Sequence, residues 1–259
     1  MAISTIDEAG LGIQAYGNRN LIINGAMQVA QRSTSTETVV NGNYETVDRF
    51  IFYENTDGVY TCEQSSTAPS GFSKSLKLAV TTADTSIGAS QYAYFFQAIE
   101  GQNLQHLEYG LSSAKDVTLS FWVRSNKTGT YCITMEKHDN TRYHYVKEYT
   151  IDSADTWEKK EITISPTAGS TSFLTASSGA IGDDNTLGAR IDFWLAAGST
   201  FTAGVTDDAW SSDTNDYATS NQVNWMDSTS NNFYLTGVQL ELGDTATPFE
   251  HRSYGDELA

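Results

Sequence analysis

Proline is scarce in this sequence, with three residues in 259, and charged residues make up only 18% of it. Amphipathic helices need many charged side chains on their solvent face, so a helix bundle or coiled coil is disfavoured. Cysteine is equally scarce, and the two present are Cys62 and Cys132. Each falls in a strand-like run, so we predict two buried free thiols, as in proteins of a reducing compartment.

Long apolar runs and basic residues are lacking as well. No stretch of 18 apolar residues occurs, so no membrane-spanning helix is expected. Residues 1–13 lack the basic and apolar regions of a signal peptide, and none is predicted. Lys and Arg number 15 against 32 Asp and Glu, a net charge of −17. Such a surface repels phosphate, so neither nucleic acid nor an anionic membrane is expected as a partner. The charge fits high solubility, and metal-binding acidic loops are the other interpretation.

Aromatic residues reach 12% and accompany much Thr, Ser, Asn and Gly. This composition is typical of short strands joined by polar turns. Alternating apolar and polar positions predict eleven strands, at residues 20–32, 47–53, 58–64, 75–81, 91–100, 117–124, 130–136, 143–150, 157–164, 190–196 and 233–242. The predicted fold class is therefore all-β, a sandwich of two antiparallel sheets in one domain.

A few segments interrupt the strand rhythm. Residues 1–18 show no alternation and are predicted to be an arm or tether. Residues 101–107 and the last few residues are predicted to be short helices. Two long polar loops follow, residues 166–188 and 199–232, and the aromatic residues of the second indicate partial order. In the last strand the alternation changes phase, which predicts a bulge at Thr236 and Gly237.

Three motifs carry a family resemblance. Residues 20–27 read NLIINGAM, residues 117–125 read VTLSFWVRS, and residues 233–243 read FYLTGVQLELG. In this order they resemble the jelly-roll carbohydrate-binding modules attached to xylanases and glucanases. The sequence resembles more closely the tail-fibre and structural proteins of marine bacteriophages, which have a run similar to IEGQNLQHL at residues 99–107 and the ending ATPFEHRSYGDELA at residues 246–259.

The resemblance implies a jelly-roll domain over residues 19–243, flanked by the arm of residues 1–18 and a C-terminal arm of residues 244–259. It implies a virion structural appendage, a tail fibre or a capsid-attached protein, assembled in the bacterial host cytoplasm. Other virion proteins are then the expected partners, the two arms are the expected contacts, and a homotrimer is the expected oligomer. Contact with a host-surface glycan is a further expectation.

Candidate glycan-binding residues come from the strand alternation. Residues 117–124 place Trp122 on the face opposite the apolar side chains, and residues 190–196 do the same with Trp194. Two outward tryptophans would form a stacking platform for sugar rings. The alternative is that a loop or the second sheet covers them, because large aromatic side chains are mostly buried.

Tyrosines supply a second candidate surface. Tyr143 and Tyr145, together with Tyr149, line one face of a predicted strand. Alternating aromatic and polar positions suit a recognition surface, and they suit cross-strand packing in an ordinary sheet equally well. Both interpretations stay open from the sequence.

Candidate metal ligands are the acidic pairs Asp183 with Asp184 and Asp207 with Asp208. Clustered carboxylates suit calcium, but the spacing is not that of an EF-hand loop, and solvated loop carboxylates are the other interpretation. Glu241 is a further candidate, because the resembling modules have an acidic residue of the closing strand near their calcium. Those modules have Phe-Glu where this chain has Met27-Gln28, so their calcium site is altered here. No other cofactor is expected.

The motifs of common enzymes are missing. The four histidines form no metal-ligand pattern, and there is no nucleophile elbow, phosphate-binding glycine loop or dinucleotide fingerprint. No catalytic residue is predicted. The preferred interpretation is a virion appendage that displays a jelly roll, and the alternative is a free carbohydrate-binding module without catalysis.

Overall fold

A computed structural model of the chain describes residues 19–258. The predicted arm of residues 1–18 and the last residue lie outside the described residues. The strands are β1 Glu37–Thr38, β2 Phe50–Asn55, β3 Val59–Ser65, β4 Ser75–Thr82, β5 Tyr92–Glu100, β6 Val117–Ser125, β7 Gly129–Lys137, β8 Tyr143–Ile151, β9 Glu158–Ile164, β10 Leu187–Ala197, β11 Ala209–Ser211 and β12 Asn232–Leu242. Helix α1 spans Tyr254–Leu258.

The strands form two antiparallel sheets of six. Sheet A has the order β1-β3-β4-β12-β6-β9, and sheet B has the order β11-β8-β7-β10-β5-β2. Neighbours in each sheet are mostly distant in sequence, as in a jelly roll. The predicted all-β fold, a two-sheet antiparallel jelly-roll β-sandwich with long polar loops, is confirmed.

Alternation along each strand builds the core between the sheets. In β6 the side chains of Leu119, Phe121 and Val123 point inward and are completely buried. In β10 Phe193 meets Phe121 across the gap, with ring centroids 5.3 Å apart and an interplanar angle of 88°. Edge-to-face aromatic pairs of this kind stabilise a core beyond their buried area.

Ten of the eleven predicted strands are present, most within two residues of the expected bounds. The exception is the strand predicted at residues 20–32, which is wrong: this segment consists of turns and irregular structure. Asn24 has a φ of 59° and Met27 a φ of 57°, both in the left-handed region. The Asn24 side chain bonds the backbone of Val29 in both directions, at 2.9 Å, and thereby replaces a strand ladder.

The predicted bulge is confirmed. The pairing of β12 with β6 shifts register between Thr236 and Gln239, and Gly237 has a φ of +63°. The shift returns Val238 and Leu240 to the inner face already occupied by Leu235, and all three are completely buried. One extra residue therefore reconciles the two phases of apolar alternation.

The smaller predictions agree with the structure. Cys62 and Cys132 are buried free thiols. Residues 101–107 form two short 3-10 helices, and the second long loop contains the short strand β11 and a 3-10 helix at Trp225–Asp227. Among the described residues, no helix has the length and apolar character needed to cross a bilayer.

The C-terminal segment packs back onto the sandwich. Residues 244–258 contact residues 19–27, and we call these two segments together the terminal clasp. The backbone amide of Asn20 donates to the Glu250 carboxylate at 2.8 Å, and the Arg252 guanidinium donates to the backbone carbonyl of Asn20. The Glu257 carboxylate accepts a hydrogen bond from the backbone amide of Asn24. Two of the motifs on which the family resemblance rests therefore form one structural unit.

Candidate functional site

The terminal clasp covers part of the outer face of sheet A, and aromatic side chains lie on the same face. The terminal clasp covers Gln239 and Glu241 of β12, both nearly inaccessible. At its edge lie six aromatic side chains, most of them partly exposed, which we call the aromatic patch: Phe249 and His251 of the clasp itself, with Phe72, Trp122, Trp157 and Tyr234 beside it.

The bulge in β12 shapes the centre of the aromatic patch. A Cβ at Gly237 would meet Phe72 Cζ at 2.6 Å and Trp122 Cδ1 at 3.1 Å. The glycine therefore lets the two rings approach from opposite sides with only backbone between them. Phe72 also packs against Phe249 of the terminal clasp, with centroids 5.0 Å apart. The result is a contiguous apolar surface fixed by the strand register.

Charged groups border the patch. The guanidinium of Arg124 lies 4.9 Å from the centre of the Tyr234 ring, and it donates to Asp155 at 3.0 Å. Trp157 meets the same tyrosine edge-on at 6.0 Å. Flat apolar rings flanked by polar side chains can stack on a sugar face and bond its hydroxyls.

Trp194 is not part of this surface. It lies on the outer face of sheet B, is 1% exposed, and stacks on Tyr94 at 4.4 Å. Trp122 lies on the outer face of sheet A, so the prediction of one platform made by both tryptophans is wrong. The alternative prediction, a loop over the tryptophan, holds for Trp194. That loop is residues 198–224, called the covering loop here, and it places Phe201 and Tyr217 against the indole.

Tyr143 and Tyr145 face the core between the sheets and not solvent. Tyr143 stacks on Phe173 at 4.7 Å, and the Tyr145 hydroxyl donates to Asp208 at 2.6 Å. Both are at most 5% exposed. The prediction that they line a glycan surface is therefore wrong, because the tyrosine face of β8 is the inner one.

The predicted metal ligands lie in three separate places. Asp184, with Asp183 exposed beside it, accepts from Thr186 at 2.6 Å, and Asp207 pairs with Lys147 at 2.8 Å. Asp208 is already the acceptor for Tyr145. Glu241 accepts from the amide of Thr247 at 2.8 Å and lies 3.4 Å from the Arg19 guanidinium. Within residues 19–258, no group of three or more His, Cys, Asp and Glu side chains could hold a metal ion. The prediction of a calcium site assembled from these carboxylates is not supported.

A buried ionic cluster on the outer face of sheet B has no counterpart in the sequence predictions. Its centre is Glu136 of β7, 1% exposed, whose carboxylate lies 2.9 Å from Arg190 and 3.2 Å from His144. Burial alone would raise the pKa of Glu136, but the His144 hydrogen bond and the Arg190 charge outweigh it and hold that pKa far below its usual range. The sequence contains little indication of this cluster. Its charged residues occupy outward positions of predicted strands, and such positions are ordinarily exposed to solvent.

Fold and site together define a jelly-roll β-sandwich with an aromatic patch on one outer face and a loop-covered aromatic face on the other. No family profile matches the sequence, and no curated protein is similar to it. Among solved structures, a Bacteroides thetaiotaomicron protein proposed to bind sugar is 12% identical, with a TM-score of 0.47, over 86% of this chain and 99% of that chain.

Two further solved structures have similar folds. The enzymatically active domain of bacteriophage CBA120 tailspike protein 4 is 14% identical, with a TM-score of 0.43, over 86% of this chain and 21% of that one. The family 11 carbohydrate-binding module of Clostridium thermocellum, in complex with a β-1,3-1,4-mixed-linked tetrasaccharide, is 14% identical, with a TM-score of 0.39, over 85% and 99%.

Proposed function

We propose that this chain is a non-catalytic binding module of a virion surface appendage that contacts glycans through the aromatic patch. The observation that carries the glycan part is the pair Trp122 and Phe72, held on either side of Gly237 by the register of β12 and β6. An indole is a large, stiff apolar surface that loses little entropy on binding, and pyranose rings present C–H groups to such a surface.

The location of the patch supports recognition over mere packing. Trp122, Phe72 and Trp157 remain partly exposed, whereas Trp194, Trp210 and Trp225 are at most 3% exposed. The fold buries three of its five tryptophans and leaves the other two on one face. Contiguous exposed aromatic surface is the usual sign of a binding site in a soluble domain.

The virion part of the proposal is supported by the sequence motifs alone. Residues 99–107 and 246–259 resemble tail-fibre segments of marine phages, and in this fold residues 246–258 meet residues 19–27 in the terminal clasp. On this proposal the chain is assembled into the virion in the bacterial host cytoplasm, with other virion proteins and further copies of itself as partners. A free carbohydrate-binding module is the alternative, and it would use the same patch.

The glycan proposal is tested by replacing Trp122 with Ala and probing both proteins with an array of neutral β-glucan and bacterial surface oligosaccharides. Loss of one stacking indole is expected to weaken binding by about tenfold or more, because removing an interface tryptophan costs about 2 kcal/mol or more. The matched control is Tyr44→Ala, an exposed aromatic residue outside the patch that is 41% exposed. Equal binding by the Trp122→Ala and Tyr44→Ala proteins would contradict the proposal, as would no binding by the parent chain.

A further inference from the structure

The covering loop rests on charged side chains that sheet B buries. Its Tyr217 hydroxyl donates to Glu136 at 3.3 Å, and its Asp213 carbonyl lies 2.9 Å from His144 Nδ1. Beneath it the rings of Tyr94, Phe96 and Trp194 form a second hydrophobic cluster, separate from the core between the sheets. An outer sheet face of this composition would be exposed if the loop moved.

His144 joins the loop to the sheet through both of its ring nitrogens. Nδ1 faces the Asp213 carbonyl, and Nε2 lies 3.2 Å from the Glu136 carboxylate. Both partners are acceptors, so both bonds exist only when each ring nitrogen carries a hydrogen. The closed arrangement therefore uses both ring nitrogens of His144 as contacts to acceptors, in a position where the side chain is 1% exposed.

Asp192 is the second unusual group of the cluster. It is completely buried, and neither of its carboxylate oxygens accepts a hydrogen bond from any described residue. Its closest cation is Arg190, with Nε 3.1 Å from Oδ1. Burial raises the pKa of Asp192 to about 7, against the lowering effect of Arg190 and with a further increase from Glu136. The closed arrangement therefore favours the protonated acid.

The charged and titratable groups around His144 and Asp192 come from every neighbouring element. They are Glu136 of β7, Arg190 of β10, Tyr94 of β5, His138 and Arg142 near the β7–β8 turn, and Tyr217 of the covering loop. Glu136 is their common anion, and its low pKa keeps it ionised above the acid range. Its charge therefore does not change near neutral pH.

We propose that His144, Glu136 and Asp192 form a proton-dependent latch that holds the covering loop closed and releases it as the pH rises through neutrality. A buried acid with a raised pKa makes the closed arrangement bind more protons than the open one, so opening increases as the pH rises. Release uncovers the aromatic face around Trp194.

The two cysteines offer matched reporters of this motion. Cys132 lies under the covering loop, where its sulfur accepts from the Thr219 amide at 3.4 Å. Cys62 lies in the core between the sheets, in the other hydrophobic cluster. Local release of the covering loop exposes only the Cys132 thiol, whereas global unfolding exposes both thiols.

The experiment measures alkylation of single-cysteine proteins, Cys62→Ser and Cys132→Ser, at about pH 5.5 and about pH 8. Each native rate is divided by the rate of the urea-denatured protein at the same pH, which cancels the ionisation of the thiol. We expect the protection of Cys132 to fall by about tenfold or more over this range, while that of Cys62 changes little. Hydrogen exchange of residues 211–220 should show the same trend.

Two variants test the contribution of the Asp192 carboxyl group. Asp192→Asn mimics the protonated side chain and is expected to flatten the pH dependence of Cys132 protection, whereas Asp183→Asn, in an exposed loop, should keep it. Unchanged protection of Cys132 between the two pH values would overturn the latch. A parallel loss at both cysteines would overturn it as well, because the whole fold would then be opening. If Asp192→Asn does not fold, the parent chain still decides between these outcomes.

Discussion

Gly25 lies where the N-terminal half of the terminal clasp crosses β12. Its carbonyl accepts from the Val238 amide at 3.0 Å, and a Cβ at this position would overlap the Val238 carbonyl oxygen. Hydrogen bonds fix the backbone on both sides of the contact, so moving either segment apart to accept a Cβ would cost free energy. The Asn-Gly pair of the first motif is thus explained by a close backbone approach.

Gly25→Ala is expected to lower the free energy of unfolding by about 2–4 kcal/mol, because the clash falls on backbone atoms. The measurement is the midpoint of urea unfolding followed by tryptophan fluorescence. Gly255→Ala is the control, since a Cβ there meets only Ser253 Oγ, at 3.8 Å, and its effect should stay within about 0.5 kcal/mol. Equal midpoints for the two variants would show that the crossing can adjust.

The two Phe-Trp strands show what a local pattern cannot decide at the scale of residues. Trp122 and Trp194 each follow a phenylalanine and precede an aliphatic residue, and both point away from the core, as predicted. Which sheet each strand joins depends on pairing with strands distant in sequence, β12 for β6 and β5 for β10. Whether a loop covers the outer face depends on long-range contacts such as Gln222 to Cys132. Apolar alternation alone predicts neither the sheet that a strand joins nor the loop that covers it.

At the scale of elements, Glu241 holds the C-terminal half of the terminal clasp on the sheet. Its carboxylate accepts from the Thr247 hydroxyl at 2.6 Å and from Gln239 at 2.8 Å, and Arg19 lies beside it. The residue is 2% exposed. A buried carboxylate with this many donors is costly to disrupt, since the donors stay buried when it is removed.

Glu241→Gln is expected to destabilise the protein by about 2–4 kcal/mol and to speed proteolysis within residues 244–253, because an amide presents donors to groups that need an acceptor. Glu161→Gln serves as the control: its carboxylate is 52% exposed and pairs with Lys159 on the surface, so the change should be within about 0.5 kcal/mol. Cleavage rates that do not differ between the two variants would rule out Glu241 as the anchor.

The strands were largely predictable, whereas the clasp was not. Strand β12 and its bulge follow from apolar alternation and one glycine, because a buried inner face imposes a period of two. Residues 20–27 also contain an apolar run, but Asn20 and Asn24 direct it into turns by bonding backbone at residues 22, 29 and 240. The bonds to residues 22 and 29 are local and the bond to residue 240 spans 220 positions, and apolar alternation indicates neither kind.

At the scale of the whole molecule, net charge opposes self-assembly. Each chain carries −17, so the expected homotrimer would carry −51, three times that value. Like charges on three subunits repel, and salt screens that repulsion over about 8–10 Å at physiological ionic strength. A trimer of this chain must therefore bury enough surface to overcome the repulsion.

Size exclusion with light scattering is expected to give the mass of three chains at about 0.15 M salt, and the trimer should weaken as salt is removed because screening is lost. Electron microscopy of intact particles would then test the proposal that the chain is part of a virion. A monomer at every salt concentration that still binds glycan would favour the free module. Trp122→Ala provides the control, since it should alter glycan binding and leave the mass unchanged.

The terminal clasp affects the kinetics of folding. Asn24 and Glu257, which bond to each other, are 233 positions apart in sequence, and Asn20 and Leu240 are 220 apart. Contacts of such long sequence separation must await the closure of nearly the whole chain, and proteins rich in them fold slowly. During synthesis the long-range bonds of Asn20 and Gly25 therefore form only after residues 238–250 have emerged. We expect folding to be cooperative and late, because residues 20–27 are completed by residues made more than 200 positions after them.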